Sequence, residues 1–179
     1  MLWEKAHVCT RCGLCEQRTT VVFGEGNPEA ELMFIGEGPG YYEDQSGRPF
    51  VGKAGQLLDR IIGAIQMRRE DVYIANVIKC RPPGNRDPSP EEAGSCMPYV
   101  LAQIEIVRPK VICLLGRIAA QYIFGKFEGM YRLRGNWHDF KGTPVMATYH
   151  PAYLLRNPHD KKKCWDDMQQ VRDKVRELT

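Results

Sequence analysis

Residues 31–40, ELMFIGEGPG, decide the fold class of this chain. Residues 31–36 are almost continuously apolar, which is typical of a strand buried on both faces of a parallel sheet. The glycines that follow let the backbone turn tightly or approach a ligand closely. Three more apolar runs of this kind lie further along the chain, at residues 72–78, 111–116 and 145–149. The sequence therefore predicts four buried strands.

Helical patterns separate the predicted strands. Ser89 and Pro90 have the residue types of a helix N-cap and a first helical position. Elsewhere the helices are indicated by apolar residues at the i, i+3 and i+4 spacing. They are predicted at residues 55–65, from Ser89 toward Ile106, at 117–124 and at 161–178. Strands alternating with helices predict an α/β fold, a three-layer α/β/α sandwich around a mostly parallel, four-stranded sheet.

The composition is that of an ordinary globular protein. The chain has 179 residues, 43% apolar and 26% charged, and its length suits one domain, residues 1–179. Charged residues interrupt the N-terminal region, so no secretory signal is predicted, and every apolar run is too short to span a bilayer. We expect a cytoplasmic monomer without membrane contact. A net charge of +3 permits nucleic acid as a partner but does not argue for it.

Seven cysteines are the strongest chemical signal, because thiols in a reducing compartment are usually metal ligands or reactive groups. Cys113 and Cys164 fall in a predicted strand and helix and resemble small buried apolar residues. The others fall in predicted loops or at helix edges, at positions 9, 12, 15, 80 and 96. Thiolate sets of this size bind zinc or an iron–sulfur cluster. The spacing alone leaves both open.

Residues with distinctive chemistry stand where the predicted strands end, which is where ligands bind in α/β proteins. Glu37 lies in the glycine-rich loop after the first strand, Asn76 near the end of the second, and His150 after the fourth. Each has a structural alternative, since the loop could be a plain turn and His150 a hydrogen-bonded structural residue. Phe50, in a long polar segment, is either a core aromatic or a platform for a flat ligand.

The segment after His150 has an apolar tip that ends in a cation. Leu154, Leu155 and Arg156 follow the histidine closely. Apolar side chains in such a position can unstack bases in a nucleic acid. The alternative is that the two leucines begin a helix that packs on the core.

Taken together, these motifs resemble one family, the iron–sulfur-containing family 4 uracil-DNA glycosylases of bacteria and archaea. The resemblance covers most of the chain and rests on several motifs in the right order. They are residues 22–28 (VFGEGNP), 36–40 (GEGPG), 43–44 (ED), 47–58 (GRPFVGKAGQLL), 76–83 (NVIKCRPP) and 150–156 (HPAYLLR). It implies a [4Fe–4S] cluster on Cys9, Cys12, Cys80 and Cys96. Cys15 is then non-ligating, although it could replace Cys9.

The resemblance also separates the chain from two related groups. The variant that crosslinks itself to an abasic site carries a nucleophilic histidine in a basic loop, and the stretch after Cys80 contains none. The family 5 enzymes lack a carboxylate or amide in the first motif, whereas this chain has Glu37. Both differences favour a family 4 enzyme that turns over.

On this basis we predict a role for each residue around a flipped uracil in DNA. Phe50 stacks on the base, and Asn76 reads its edge, accepting from N3–H and donating to O4. Glu43 crowds C5, where thymine carries a methyl group. His150 donates a hydrogen bond to O2, and Glu37 orients or deprotonates the attacking water.

Other residues are predicted to contact the flipped base through the protein backbone, or to contact the DNA strand. The loop backbone at Gly38 touches the base. Leu154 and Leu155 fill the gap that the base leaves, and Arg156 contacts a phosphate or the minor groove. Lys53 and Arg81 are further phosphate contacts.

A competing hypothesis keeps the fold and drops the catalysis. The chain would then be a DNA-binding or electron-transfer module that carries an iron–sulfur cluster or zinc. Such a module would bind DNA or give a reversible redox signal without releasing free uracil.

Overall fold

A computed structural model describes residues 1–179 and shows a six-stranded sheet between two layers of helices. The strands are β1 (Glu25–Gly26), β2 (Leu32–Gly36), β3 (Tyr73–Asn76), β4 (Val111–Leu115), β5 (Trp137–Phe140) and β6 (Thr143–Thr148). The helices are α1 (Leu2–His7), α2 (Tyr41–Ser46), α3 (Lys53–Ala64), α4 (Pro90–Val107), α5 (Arg117–Phe124), α6 (Met130–Leu133), α7 (Pro151–Arg156) and α8 (Lys161–Leu178). Short 3-10 turns occupy Gly13–Glu16, Arg69–Asp71, Pro83–Asn85 and Pro158–Asp160.

The centre of the sheet confirms the predicted parallel strands. The strand order is β1-β3-β2-β4-β6-β5, and β3, β2, β4 and β6 run parallel. Every residue of β2, β3 and β4 is buried, which explains why their sequences are continuously apolar rather than alternating. Gly36 pairs with Asn76 at the carboxyl ends of β2 and β3, so these two residues lie side by side.

The predicted strand number was wrong, because an antiparallel strand lies at each edge of the sheet. β1 pairs with β3 and β5 pairs with β6. β1 has only two residues, and β5 is partly exposed along its length. Neither edge strand is buried on both faces, so neither has the continuous apolar sequence by which the central strands can be recognised.

Helices cover both faces of the sheet, as the predicted three-layer sandwich requires. One apolar core lies between the sheet and the helices α1, α4 and α5. The other lies between the sheet and the helices α3, α7 and α8. The predicted Ser89 cap is confirmed: its side chain accepts a hydrogen bond from the Glu92 N–H, and the Glu92 carboxylate accepts one from the Ser89 N–H.

The order of the strands opens a crevice at one edge of the sheet. From β2 the chain crosses to β3 on one side, and it then crosses to β4 on the other side of β2. Loops that leave the carboxyl ends of β2 and β4 therefore diverge, and in α/β proteins such a switch point is where ligands bind. No helix in the structure is both long and apolar enough to cross a membrane.

Candidate active site

A cavity of about 950 Å³ opens at the carboxyl ends of the parallel strands. The loops after β2, β4 and β6 contribute Glu37, Gly116 and His150 to its wall, and Phe50 comes from the segment before α3. Of the residues predicted from the sequence, the cavity is lined by Glu37, Gly38, Glu43, Phe50, Lys53, His150 and Arg156. The structure therefore brings together residues that are far apart in the chain.

Asn76 lies at the end of β3 next to Gly36, is 2% exposed, and is not among the residues that line the cavity. Its side-chain oxygen Oδ1 is buried and accepts no hydrogen bond from the protein. Its backbone carbonyl accepts one from the Lys79 ammonium at 2.9 Å, which holds this part of the loop in place. A Cβ atom on Gly36 would lie 2.6 Å from both Asn76 Oδ1 and Phe50 Cζ, so only glycine allows these two groups to meet there.

His150 caps the N-terminus of α7 and faces the ring of Phe50. Its Nδ1 accepts a hydrogen bond from the Ala152 N–H at 3.0 Å, so a neutral ring carries its proton on Nε2. Burial, with a smaller contribution from the charge of Arg156, lowers the pKa of His150 to about 4. The imidazole is therefore neutral at physiological pH. The rings of Phe50 and His150 are stacked with centroids 5.5 Å apart.

Gly116 lies next to the side chain of His150. Its φ angle of +94° favours glycine, and a Cβ atom there would lie 2.8 Å from His150 Cβ. In the sequence, Gly116 is the last residue of the apolar run 111–116. Its function is spatial, because it leaves room for the histidine.

Glu37 is half-buried at the carboxyl end of β2. Burial, and then the neighbouring carboxylate of Asp87, raise the pKa of Glu37 to about 7, and the Arg117 guanidinium opposes this rise. Arg117 also forms an ion pair with Asp87 at 2.5 Å. A carboxyl group with a pKa near neutrality is suited to exchange a proton with water at physiological pH.

Glu43 lines the cavity, and it also has a structural role that the sequence did not reveal. Its two carboxylate oxygens accept hydrogen bonds from three backbone N–H groups, those of Gly40, Val51 and Gly52, at 2.9–3.0 Å. The side chain thereby ties the glycine-rich loop to the segment that carries Phe50. The predicted contact with C5 of uracil stays a prediction.

The predicted DNA contacts are only partly supported by their positions. Leu154 is 1% exposed and belongs to the core, so it is not in the exposed position that a wedge needs, and this prediction was wrong. Leu155 is 40% exposed, and Arg156 and Lys53 are exposed at the cavity. Arg81 lies outside the cavity wall, with its guanidinium 5.4 Å from the ring of Tyr41.

The four predicted cluster ligands lie around a second, much smaller cavity. Cys9, Cys12, Cys80 and Cys96 all line it, and so does Cys15. Cys113 and Cys164 lie outside this cavity and are buried in the apolar core, as predicted. The second cavity therefore separates ligand candidates from structural thiols. It does not separate Cys15 from the other four.

The charges around the second cavity fit an anionic metal cluster. Arg11, Arg18 and Lys79 all line it, and Arg18 lies 3.5 Å from the Cys80 sulfur. Thiolate ligands bring negative charge, which these three cations offset, although the Glu92 carboxylate also lines the cavity. The Lys79 N–H points at the Cys96 sulfur at 3.3 Å, the kind of hydrogen bond that supports a metal ligand. The side chains of the second cavity do not by themselves form a preassembled group of three metal ligands.

Comparison with known proteins identifies the family. The model of the uracil DNA glycosylase superfamily matches residues 23–169. A type-4 uracil-DNA glycosylase of Thermotoga maritima is 51% identical over 156 residues, which are 86% of this chain and 81% of that protein. The chain belongs to the type-4 uracil-DNA glycosylases.

Further relatives are consistent with this placement. The type-4 enzyme of Archaeoglobus fulgidus is 45% identical over 171 residues, which are 91% of this chain and 86% of that protein. A type-5 uracil-DNA glycosylase of Pyrobaculum aerophilum is 30% identical over 150 residues, or 74% of this chain and 66% of that protein. The type-4 family implied by the sequence motifs is therefore confirmed, and the exclusion of the type-5 group agrees with the lower identity.

Several residues of this site were not identified from the sequence. Asp87 and Arg117 lie next to Glu37, and the cavity wall includes three exposed tyrosines, Tyr41, Tyr42 and Tyr131. Asp87 lies in a turn-rich stretch and Arg117 at the start of a predicted helix, where charged residues are common. The sequence does contain a signal for two of the tyrosines, because the adjacent aromatic residues Tyr41 and Tyr42 directly follow the glycine-rich loop.

Proposed function

We propose that this protein removes uracil from DNA by hydrolysing the bond between the base and the deoxyribose. Water adds to the sugar carbon, the base leaves with the bonding electrons and takes up a proton, and an abasic site remains. This is the first step of base excision repair. The observation that carries the proposal is the buried, unpaired Oδ1 of Asn76, which lies close to Phe50 of the cavity wall in a type-4 family member.

Recognition of uracil follows from the hydrogen bonds that Asn76 can make. Its Oδ1 accepts from uracil N3–H, and its amide donates to O4. Cytosine has an acceptor at N3 and an amino group at position 4, so it would leave polar groups of Asn76 unpaired. Selection by unpaired buried groups is strong, because a buried donor or acceptor without a partner costs about 1–3 kcal/mol. Phe50 provides the face on which the flipped base stacks.

His150 stabilises the leaving base. Its neutral ring donates a hydrogen bond through Nε2–H to uracil O2, where negative charge develops as the bond breaks. The Ala152 N–H holds the other ring nitrogen, so the donor is oriented before the substrate arrives. One such preorganised donor contributes about 3–4 kcal/mol to the stability of the transition state.

Glu37 acts on the water and on the sugar. Its carboxylate orients the attacking water and accepts its proton, and its charge stabilises the positive charge that develops on the sugar, as in glycoside hydrolysis. Asp87 and Arg117 bracket this carboxylate, one raising and one lowering its pKa. The backbone at Gly38 and the carboxylate of Glu43 border the base on the side of the glycine-rich loop.

The protein contacts the DNA around the flipped nucleotide. Leu155 is the exposed apolar residue that can enter the gap left in the base stack. Arg156, Lys53 and Arg81 are placed to contact phosphates around it. The proposed partner is therefore uracil-containing DNA. We propose no contact with a membrane.

A [4Fe–4S] cluster on Cys9, Cys12, Cys80 and Cys96 is the cofactor that best fits the second cavity. Support comes from the four thiols, the three surrounding cations and the type-4 family. When bound, the cluster would join the N-terminal segment to the loop after β3 and the start of α4. Cys15 lies at the same cavity and could replace Cys9. Cysteines that serve as metal ligands are typical of a reducing compartment, and on this ground we propose a cytoplasmic protein. We also propose that it acts as a monomer.

A uracil-release assay tests the function directly. The protein is incubated with a uracil-containing oligonucleotide, free uracil is quantified, and alkali cleaves the abasic product. We expect uracil release, and we expect His150→Ala to lower the single-turnover rate by about 10²–10³. A non-catalytic module would instead bind the oligonucleotide without releasing uracil. A loss of less than tenfold in His150→Ala would reduce the histidine to a positioning role.

A further inference from the structure

Three exposed tyrosines surround the mouth of the active-site cavity, and the proposed uracil chemistry uses none of them. Tyr41 and Tyr42 begin α2 directly after the glycine-rich loop, whereas Tyr131 comes from α6, far away in the chain. All three line the cavity, and they are 52%, 65% and 72% exposed. Clustered exposed aromatic residues usually mark an interaction surface rather than a requirement of folding.

Cations accompany two of these rings. The Arg81 guanidinium lies 5.4 Å from the ring of Tyr41, and the Arg132 guanidinium lies 5.5 Å from the ring of Tyr131. Neither arginine forms an ion pair with a carboxylate in this structure, and the same is true of Lys53 and Arg156 at the cavity. An aromatic rim with unpaired cations complements a chain of bases and phosphates.

The size of the cavity leaves room for more than the flipped base. Its volume of about 950 Å³ is near the upper end of the range that holds a drug-sized molecule, roughly 300–1,000 Å³. Uracil is a single six-membered ring and fills only part of it. The three exposed tyrosines line the same cavity.

We propose that Tyr41, Tyr42 and Tyr131 form a stacking surface for the unpaired bases that flank the flipped uracil in single-stranded DNA. Bases in a single strand expose their faces and can stack on aromatic side chains whatever their sequence. In a duplex the neighbouring bases are already stacked and paired, so the rim contributes mainly to single-stranded substrates. The inference rests on the proposed function, because it places the uracil nucleotide in the cavity.

Paired substitutions separate stacking from other roles of the tyrosines. The stacking-deficient variants are the double variant Tyr41→Ala/Tyr42→Ala and the single variant Tyr131→Ala, and their matched controls replace the same tyrosines with phenylalanine. Trp165→Ala removes a partly exposed aromatic residue outside the cavity and controls for a general loss of aromatic surface. Each variant is tested with a single strand of about 15 nucleotides, with and without one uracil, and with the matching duplex.

We expect the alanine variants to weaken binding of the single strand by about 5- to 150-fold for each lost base stack. Anisotropy of the uracil-free strand gives this Kd, and KM for the uracil strand should rise in parallel. The saturated single-turnover rate should stay within about twofold, because no group that touches uracil is changed. The phenylalanine variants and Trp165→Ala should bind like the unmodified protein. The slope of log Kd against log salt should also be unchanged, since no phosphate contact is lost.

Three results would overturn the stacking surface. They are unchanged single-strand binding in the alanine variants, equal losses in the phenylalanine variants, and an equal loss of affinity for the duplex. Each of them is distinguishable from failure of the proposed function, which would appear as no uracil release by the unmodified protein. The anisotropy measurement needs no catalysis, so it tests the tyrosines in either case.

Discussion

At the scale of single residues, Asn76 has two properties that rarely occur together. It is almost completely buried, and its Oδ1 has no hydrogen-bond partner. Such an atom costs about 1–3 kcal/mol in the folded protein, and native structures contain few of them. A substrate that donates a hydrogen bond there removes this penalty. The unpaired atom thus favours binding of a base with an N–H at that position.

Asn76→Asp should therefore reduce uracil excision strongly, although the two side chains have nearly the same shape. At neutral pH an aspartate offers acceptors but no amide donor for O4, and its charge opposes the developing anion on the base. Single-turnover rates on oligonucleotides with uracil or cytosine measure the loss and any change in selectivity. Asn27→Asp controls for the added charge, because the Asn27 side chain only accepts a hydrogen bond, from the Glu29 N–H, and an aspartate keeps it. Unchanged rate and selectivity in Asn76→Asp would remove its role in reading the base.

The raised pKa of Glu37 predicts the pH dependence of the reaction. The role proposed for Glu37 needs the carboxylate, so the single-turnover rate should rise with pH and level off above about pH 7. His150, with its pKa near 4, should add no step in this range. Asp87→Asn should move the step to lower pH, because Asp87 helps to raise the pKa of Glu37. A step that stays at the same pH in Asp87→Asn would contradict this coupling.

Glu37→Gln should lower activity and raise stability at the same time. The folded pKa of Glu37 lies above its ordinary value of 4.5, so the folded state binds more protons than the unfolded state between about pH 4.5 and 7. Stability contributed by protonated Glu37 is therefore lost as the pH rises through this window. Glutamine removes that loss, and thermal unfolding at pH 8 should show a higher Tm. Full activity in Glu37→Gln would exclude its role with water.

At the scale of elements, helix α7 divides its two leucines between the core and the surface. Pro151 holds the helix start, and His150 caps it through Nδ1. Leu154 then faces α3 and α8 in the core, whereas Leu155, one residue later, is turned about 100° away and is exposed. One helical turn thus anchors the histidine and exposes an apolar residue at the surface.

The two leucines should give opposite results when replaced by alanine. Leu154→Ala should lower the free energy of unfolding by about 2–5 kcal/mol, as for other buried leucines. Leu155→Ala should change stability by no more than about 0.5 kcal/mol and slow excision from duplex DNA, where a gap must be filled. Denaturant unfolding and duplex kinetics provide the two readouts. Normal duplex kinetics in Leu155→Ala would show that no wedge acts at this position.

At the scale of the whole molecule, the second cavity joins parts of the chain that the sheet does not join. Cys9 and Cys12 come from the N-terminal segment, Cys80 from the loop after β3 and Cys96 from α4. Lys79 connects this region to the active site, because its ammonium holds the Asn76 carbonyl while its N–H faces the Cys96 sulfur. A cluster here would stabilise the loop that positions Asn76 without taking part in the reaction.

Cys96→Ala should therefore lose the brown colour and visible absorbance of an iron–sulfur protein, and stability with them. Uracil release should fall as a consequence of the loosened loop. Cys164→Ala is the matched control, because it removes a buried thiol that lies in the apolar core. It should keep the absorbance. A Cys96→Ala protein with full stability and no absorbance would refute the structural role of the cluster.

Much of this architecture can be predicted from local patterns. The central strands are nearly continuously apolar because both faces are buried along β2, β3, β4 and the last four residues of β6. Helices α5 and α8 begin and end at the predicted residues. The edge strands β1 and β5 could not be predicted, because partial exposure gives them no distinctive pattern. Leu154 and Leu155 show the same limit within one helix, since two adjacent leucines carry the same signal whichever of them is buried.

The sequence by itself determined the sandwich, the family and the residue types of the site, because these depend on periodicity, on turn residues and on motifs that are local in the chain. Only the tertiary structure decided how those residues act. It buried Asn76 Oδ1 without a partner and raised the pKa of Glu37 next to Asp87. It also assigned Glu43 to backbone hydrogen bonds and brought Tyr41, Tyr42 and Tyr131 to one rim. Burial, neighbouring charges and hydrogen-bond partners come from contacts between distant segments, and no local pattern contains them.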